Sequence, residues 1–158
     1  SDAILFWGEN GLRRKLSWLE LTRQVAVLSS VLRNFGIRPG DRIAAMMPNI
    51  TETIVWFLAT ATVGAIWSSC SPDFGTAGVI DRFSQIGPKI LFIGDKYFYN
   101  GKKINILERL PEILNKIPSI YYDPRSVYLK NNPAAHNVEI VQNKSALEKW
   151  IINNFIRT

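Results

Sequence analysis

The sequence predicts an α/β fold, a mostly parallel sheet with crossover helices, preceded by a β-hairpin. Three observations predict it. Apolar residues run in the order hairpin, α, β, α, β, α, β, α, the alternation that builds a parallel sheet flanked by helices. Asn10-Gly11 stands between two β-prone runs, where positive φ angles close a tight turn. The helical stretch 50–63 carries almost no polar face, so it must be covered on more than one side.

Residues 3–8 and 12–18 form the two arms of the hairpin. Ser17 and Glu20 have the spacing of a capping box, and Leu21, Val25, Leu28 and Leu32 then repeat at helical period as far as Gly36. Pro39-Gly40 supplies a turn, 42–47 a short strand, and Pro48-Asn49 its stop. A second helix is expected over 50–63 with Asn49 as cap, followed by a buried strand over 65–70 and a loop over 71–75. Residues 76–85 read as a helix with Val79, Ile80 and Phe83 on one side, and 89–93 as the clearest strand. A polar loop over 94–102 leads to a helix over 104–116, in which Pro111 demands a kink. Further on, 119–122 and 138–141 read as short strands, 123–137 as a loop and 145–155 as a terminal helix. The expected division is a 1–118 α/β segment and a 119–158 tail, with no internal repeat.

Composition narrows the class. At 158 residues a single domain buries about 70% of its unfolded surface, and 47% hydrophobic against 20% charged residues excludes disorder. One cysteine, Cys70, and one histidine, His136, exclude an internal disulfide and Cys- or His-rich metal centres, and a reducing, cytoplasmic setting is expected. The net charge of +6 is scattered in runs no longer than three, such as Arg13-Arg14-Lys15, which reads as a solvated surface and not as a nucleic-acid face. Ser1-Asp2 opens the sequence without a positively charged leader, so secretory targeting is not expected. The uncharged stretch 53–72 has the length of a membrane span, but its Thr and Ser residues and Gly64 divide it into a buried helix and strand.

Familiar phosphate loops are absent from these residues. Gly75-Thr76-Ala77-Gly78 lacks dinucleotide-loop spacing, and neither a Walker-type loop nor a G-x-S-x-G elbow occurs. His136 lies in a Pro/Ala loop and reads as exposed, while Cys70 has no neighbouring feature that would activate its thiol. The run 68–75 leaves the carboxyl end of a strand, where open α/β sheets place ligands. It reads equally as an ordinary connection whose Asp73 or Thr76 caps the next helix.

Ser17-Trp18-Leu19-Glu20-Leu21, the 36–44 turn and strand, Met47-Pro48-Asn49 and the run Gly64 to Gly75 together resemble the early part of adenylate-forming acyl-CoA synthetases. The Ser-Ser-Cys-Ser-Pro-Asp-Phe-Gly run, continuing into 81–86 and 88–92, is similar to the acetoacetate–CoA ligase branch of that family. The resemblance is dense over residues 3–118.

The resemblance implies placement within the family's large N-terminal domain and a two-step reaction. A short acid such as acetoacetate attacks ATP to give an acyl-adenylate and pyrophosphate, and the CoA thiol then displaces AMP. ATP, Mg2+ and CoA would serve the complete enzyme, with none tightly bound by this segment alone. The family's phosphate-holding Ser/Thr/Gly-rich loop and its C-terminal adenylation lysine have no counterpart in these residues, so the chain resembles a truncated N-terminal segment without catalytic residues of its own. By the same resemblance Lys102, Lys103, Pro72, Asp73 and Phe74 are CoA-side residues, and Tyr99 stands where relatives carry a second basic residue. Lys102-Lys103 also reads as a solvated pair. Without the rest of the domain, the helix around 54–63 would leave Trp56, Phe57 or their neighbours facing water and favour a homo-oligomer. The other reading is a self-standing α/β module that holds CoA-like or other phosphorylated ligands.

Overall fold

The computed structural model describes residues 1–9, 11–94 and 96–120, together with the backbone of a strand at 138–140. The expected loop at 123–137, with His136, and the helix at 145–155 lie outside the described residues.

Strands β1 (Asp2–Trp7) and β2 (Arg13–Ser17) form the antiparallel hairpin the Asn-Gly signal predicts. Ser17 then starts α1 (Trp18–Asn34) with a complete capping box: its hydroxyl accepts from Glu20 N, and its own N–H donates to Glu20 Oε2 at 2.9 Å. Gly36, at φ +79°, ends the helix, with Gly36 N donating to Arg33 O and Ile37 N to Leu32 O.

A four-stranded sheet follows in the order β4-β3-β5-β8, built from β3 (Arg42–Met46), β4 (Ile66–Cys70), β5 (Ile90–Gly94) and β8 (Val138–Ile140). The first three are mutually parallel and β8 runs antiparallel to β5. Side chains alternate across the sheet with period two. Ile43, Ala45, Ile90 and Phe92 pack with α1 and α2 (Thr51–Thr62), whereas Ala44, Met46, Leu91 and Ile93 pack with α3 (Thr76–Ser84) and α4 (Leu110–Lys116). The expected mostly parallel α/β sheet, covered on both faces, is what forms.

At the amino end of the sheet, Lys89 Nζ lies 2.8 Å from Asp41 Oδ2, and Arg42 donates to the carbonyls of Ile86 and Gly87. Gly64, at φ +74°, crosses so near Pro39 that a Cβ would come within 3.2 Å of it, which leaves glycine as the residue that fits. The stretch 53–72 divides into α2 and β4, and no helix among the described residues is long and apolar enough to cross a membrane.

Six expectations are corrected. Asn49 does not cap α2: Ile50 holds the N-cap position without a side-chain bond, while Ile50 N and Thr53 Oγ1 both return to Pro48 O. Neither Asp73 nor Thr76 caps α3, whose N-cap is Gly75. The 65–70 strand is an edge and not a buried strand, with Ile66 exposed. The polar loop 94–102 is largely a second hairpin, β6 (Lys96–Tyr99) and β7 (Lys102–Asn105), turned by Asn100 and Gly101 at φ 50° and 71°. Residues 104–116 therefore hold the end of β7, a 3₁₀ turn (Leu107–Arg109) and the short α4; Pro111 sits in the first turn of α4, where its missing N–H breaks no helical bond, so no kink is needed. Of the 119–122 strand, Ser119 and Ile120 form a turn and a bend and the remainder lies outside the described residues.

Candidate functional site

The loops leaving β3 and β4 diverge. The β3 loop leads to α2 on one face of the sheet and the β4 loop leads to α3 on the other. Adjacent parallel strands whose exits part in this way open a crevice at their carboxyl ends, the usual ligand position in an open α/β sheet. A cleft of about 360 Å³ lies there, lined by 48–50 from the first loop and 71–73 from the second. Its remaining walls are 6–9 from the first hairpin and Tyr97, Phe98 and Tyr99 from the second. The two hairpins meet where Asn100 N donates to Glu9 Oε2 at 3.1 Å.

The β4–α3 loop is ordered from within and from outside. Ser71 Oγ donates to Asp73 Oδ2 at 2.9 Å, and Phe74 N donates to Ser71 O at 3.1 Å. Arg109 Nη1 donates to Pro72 O at 2.8 Å and to Phe74 O at 3.0 Å. The Arg82 guanidinium carbon stands 5.0 Å from the centre of the Phe74 ring, a cation–π distance.

Of the sequence-predicted residues, Pro72 and Asp73 line the cleft, Pro72 buried and Asp73 exposed. Phe74 follows directly, half-exposed beneath Arg82. Lys102 is paired opposite Tyr99 and Lys103 opposite Phe98, both lysines exposed. Residues directly opposite share a face of the ribbon and successive residues alternate, so Lys102 lies on the face of Tyr97 and Tyr99, and Lys103 on the other. Tyr97 is buried and lines the cleft with Asp73; its burial and the neighbouring Asp73 carboxylate push its hydroxyl above the ordinary tyrosine range. The structure thus brings Pro72, Asp73 and residues 97–99 into one cleft, whereas neither Lys102 nor Lys103 is among its lining residues; Lys102 lies on the Tyr97–Tyr99 face of the hairpin and Lys103 on the Phe98 face.

The electrostatics are mixed. Glu9 and Asp73 place carboxylates on the cleft walls, while Lys102, Lys103 and Arg82 lie on the surrounding elements. Burial pushes the Cys70 thiol up to about 11, so it stays protonated near neutrality and is no nucleophile. Among the described residues no group of three or more His, Cys, Asp or Glu could hold a metal ion. The arrangement offers aromatic surface for a planar ring, while Lys102, Lys103 and Arg82 are not among the residues that line the cleft.

Sequence reasoning missed Tyr97, Glu9 and Arg109. Asn100-Gly101 carried the hairpin signal that would have put Tyr97 and Tyr99 on one face of a ribbon. No local signal marks Arg109, whose two acceptors lie 37 and 35 positions away.

The family profile described as AMP-binding enzyme matches residues 2–149. Acetoacetyl-coenzyme A synthetase of Rhizobium meliloti (strain 1021) is 56% identical over 105 residues, covering 66% of this chain and 16% of that protein. Acetoacetyl-CoA synthetase of Xenopus tropicalis is 44% identical over 106 residues, covering 67% of this chain and 16% of its own length. Among solved structures, acetoacetyl-CoA synthetase from Streptomyces lividans superposes with a TM-score of 0.74 at 42% identity, over 77% of this chain and 19% of that one. The chain thus spans about 16% of the length of these curated relatives.

Proposed function

Because the chain belongs to the AMP-binding enzyme family, matched over residues 2–149, we propose that it is a segment of an AMP-forming acid–CoA ligase whose acid is acetoacetate. Its complete enzyme converts acetoacetate, ATP and CoA to acetoacetyl-CoA, AMP and pyrophosphate. A carboxylate oxygen bonds to the α-phosphorus as pyrophosphate leaves, and the CoA sulfur then bonds to the acyl carbon as AMP leaves with the carboxylate oxygen. The observation that carries this reading is the identity of 56% and 44% to proteins named acetoacetyl-CoA synthetase.

Within that reading, 1–118 is the α/β segment and 119–158 a tail, and the working compartment is the cytoplasm. Lys102, Lys103, Pro72, Asp73 and Phe74 serve the CoA side. The position of Pro72 and Asp73 in the cleft walled by residues 97–99 of the second hairpin, whose other strand begins with Lys102 and Lys103, supports the assignment. A lysine there attracts the 3′-phosphate of CoA by a charge-assisted hydrogen bond. Mg2+ finds no carboxylate cluster among the described residues, so no step through the metal is assigned to them. ATP and Mg2+ are left to the rest of the enzyme.

Sequencing the coding region around these 158 residues and assaying the whole product with acetoacetate, ATP and CoA tests the reading. Acetoacetate-dependent release of AMP and pyrophosphate with thioester formation is expected. A product that binds CoA but catalyses neither half-reaction would favour the self-standing binding module. The 158-residue chain by itself should not exchange pyrophosphate into ATP, because its residues include no loop or lysine to stabilise the transferring phosphates.

A further inference from the structure

Arg109 joins two parts of the chain that the CoA-side reading uses together. It emerges from the 3₁₀ turn after β7, the strand that begins with Lys102, and reaches the loop that carries Pro72, Asp73 and Phe74. The two protons on Nη1 meet two carbonyls, Pro72 O at 2.8 Å and Phe74 O at 3.0 Å. Ile106 and Leu110, on either side of it, are buried in the same apolar cluster as Tyr97. The guanidinium therefore projects from a fixed base.

We propose that Arg109 is a positioning residue for the CoA side of the site, clamping the Pro72–Phe74 loop at a set distance from Lys102; the inference rests on the CoA-side reading above. Pro72 and Phe74 carbonyls left to water would allow the loop more conformations, and a ligand would have to order it on binding. Arg109 orders it beforehand. Both Nη1 protons are committed to these carbonyls, so that nitrogen acts on the ligand through the loop. Lysine cannot reproduce the planar fork, so Arg109→Lys keeps the charge but loses part of the clamp.

Chemical-shift titration with adenosine 3′,5′-bisphosphate, the nucleotide end of CoA, tests this on the 158-residue chain at several salt concentrations. Arg109→Ala, Arg109→Lys and Lys102→Ala are compared with the unaltered chain, and amide hydrogen exchange of Phe74 and Gly75 is followed in each. Arg109→Ala should weaken binding by roughly tenfold, the equivalent of one hydrogen bond to a charged group, and speed loop exchange while leaving the salt dependence of binding unchanged. Lys102→Ala should flatten that salt dependence without altering exchange. Arg109→Lys should fall between, and it carries the comparison if Arg109→Ala fails to fold. Unchanged exchange at Phe74 in the Arg109 variants overturns the clamp, and salt dependence flattened as in Lys102→Ala makes Arg109 a direct contact instead. If the unaltered chain shows no binding of the probe, the CoA-side reading fails, and with it the ligand-positioning role, whereas the exchange data still decide whether Arg109 holds the loop.

Discussion

Arg14 Nη1 lies 2.7 Å from Glu52 Oε1, tying the N-terminal hairpin to the first turn of α2. Glu52 is buried and receives its other bond from Thr51 Oγ1 at 2.9 Å. Removing Arg14 leaves a buried carboxylate with one neutral partner. Because Arg14 keeps 24% of its side chain exposed, Arg14→Ala should cost roughly 2–3 kcal/mol, less than the loss from a fully buried pair. Paired replacement by Arg14→Met with Glu52→Gln should cost less than the single change. Urea denaturation of the three chains measures both, and equal stability of Arg14→Ala and the unaltered chain would refute the tie.

The elements legible in the sequence are those fixed by short-range chemistry. Ser17 and Glu20 cap α1 within one turn, and the Leu21 to Leu32 period points that helix at the sheet without help from distant residues. The second hairpin is hidden because Lys96, Lys102, Lys103 and Asn105 make its strands look like a polar loop; Tyr97 and Ile104, which join the apolar cluster, share one face. Asn49 resembles a cap, but the Pro48 carbonyl captures the donors at the start of α2 and Asn49 lines the cleft. The contiguous motif 72–74 marks the loop whose Pro72 and Asp73 line the cleft, whereas Arg109 reaches that loop through a long-range contact with no local pattern. Trp56 and Phe57, alike in sequence, part company in the fold: Trp56 is 2% exposed against Phe92, and Phe57 45%.

The two faces of the second hairpin separate its lysines. On the proposed CoA-side reading of the complete ligase, Lys102→Glu should raise the KM for CoA by roughly tenfold or more, the scale of a lost hydrogen bond to a charged group. Acetoacetate-dependent pyrophosphate exchange, which does not involve CoA, should stay nearly unchanged. Lys103→Glu is the companion variant from the other face of the hairpin, opposite Phe98. Steady-state kinetics of both half-reactions read the asymmetry; equal loss of the two reports misfolding, and no change makes Lys102 a solvated surface residue.

Acid should loosen the amino end of the sheet. The Lys89 ammonium beside Asp41, followed by the Arg38 N–H at 2.7 Å, holds the Asp41 carboxyl below its ordinary 3.8. A carboxyl whose folded pKa is depressed contributes stability above its unfolded pKa, and the contribution is lost as pH falls through the folded value. Asp41→Asn should therefore destabilise the chain by about 1 kcal/mol at neutral pH. The difference should shrink as the pH drops below about 4, the unfolded range for aspartate. Denaturant midpoints across pH 3 to 7 follow it. A difference that persists unchanged at the acid end would assign the effect to packing and not to charge.

The open side of the sheet sets the solution behaviour of the 158-residue chain. β4 ends the strand order, and among the described residues nothing pairs with its outer backbone edge. Ile66 on that strand is 53% exposed, and on the adjoining helix Ile54 and Phe57 are 37% and 45% exposed, with the Phe57 ring 6.1 Å from Trp67 of β4. Unpaired N–H and C=O groups beside apolar side chains form a template for another strand, and burying the side chains contributes about 25 cal/mol per Å². A second copy of the chain offers the same edge, and two such edges related by a two-fold axis satisfy each other. Sedimentation should therefore show concentration-dependent self-association in the micromolar range. Ile66→Lys, which places a charge on the edge without touching the buried core, should shift the chain toward monomer. A monodisperse monomer that also fails to bind an apolar dye would remove the edge from consideration, and association unaffected by Ile66→Lys would move the contact to the exposed Trp7, Trp18 and Leu19 of the first hairpin and α1.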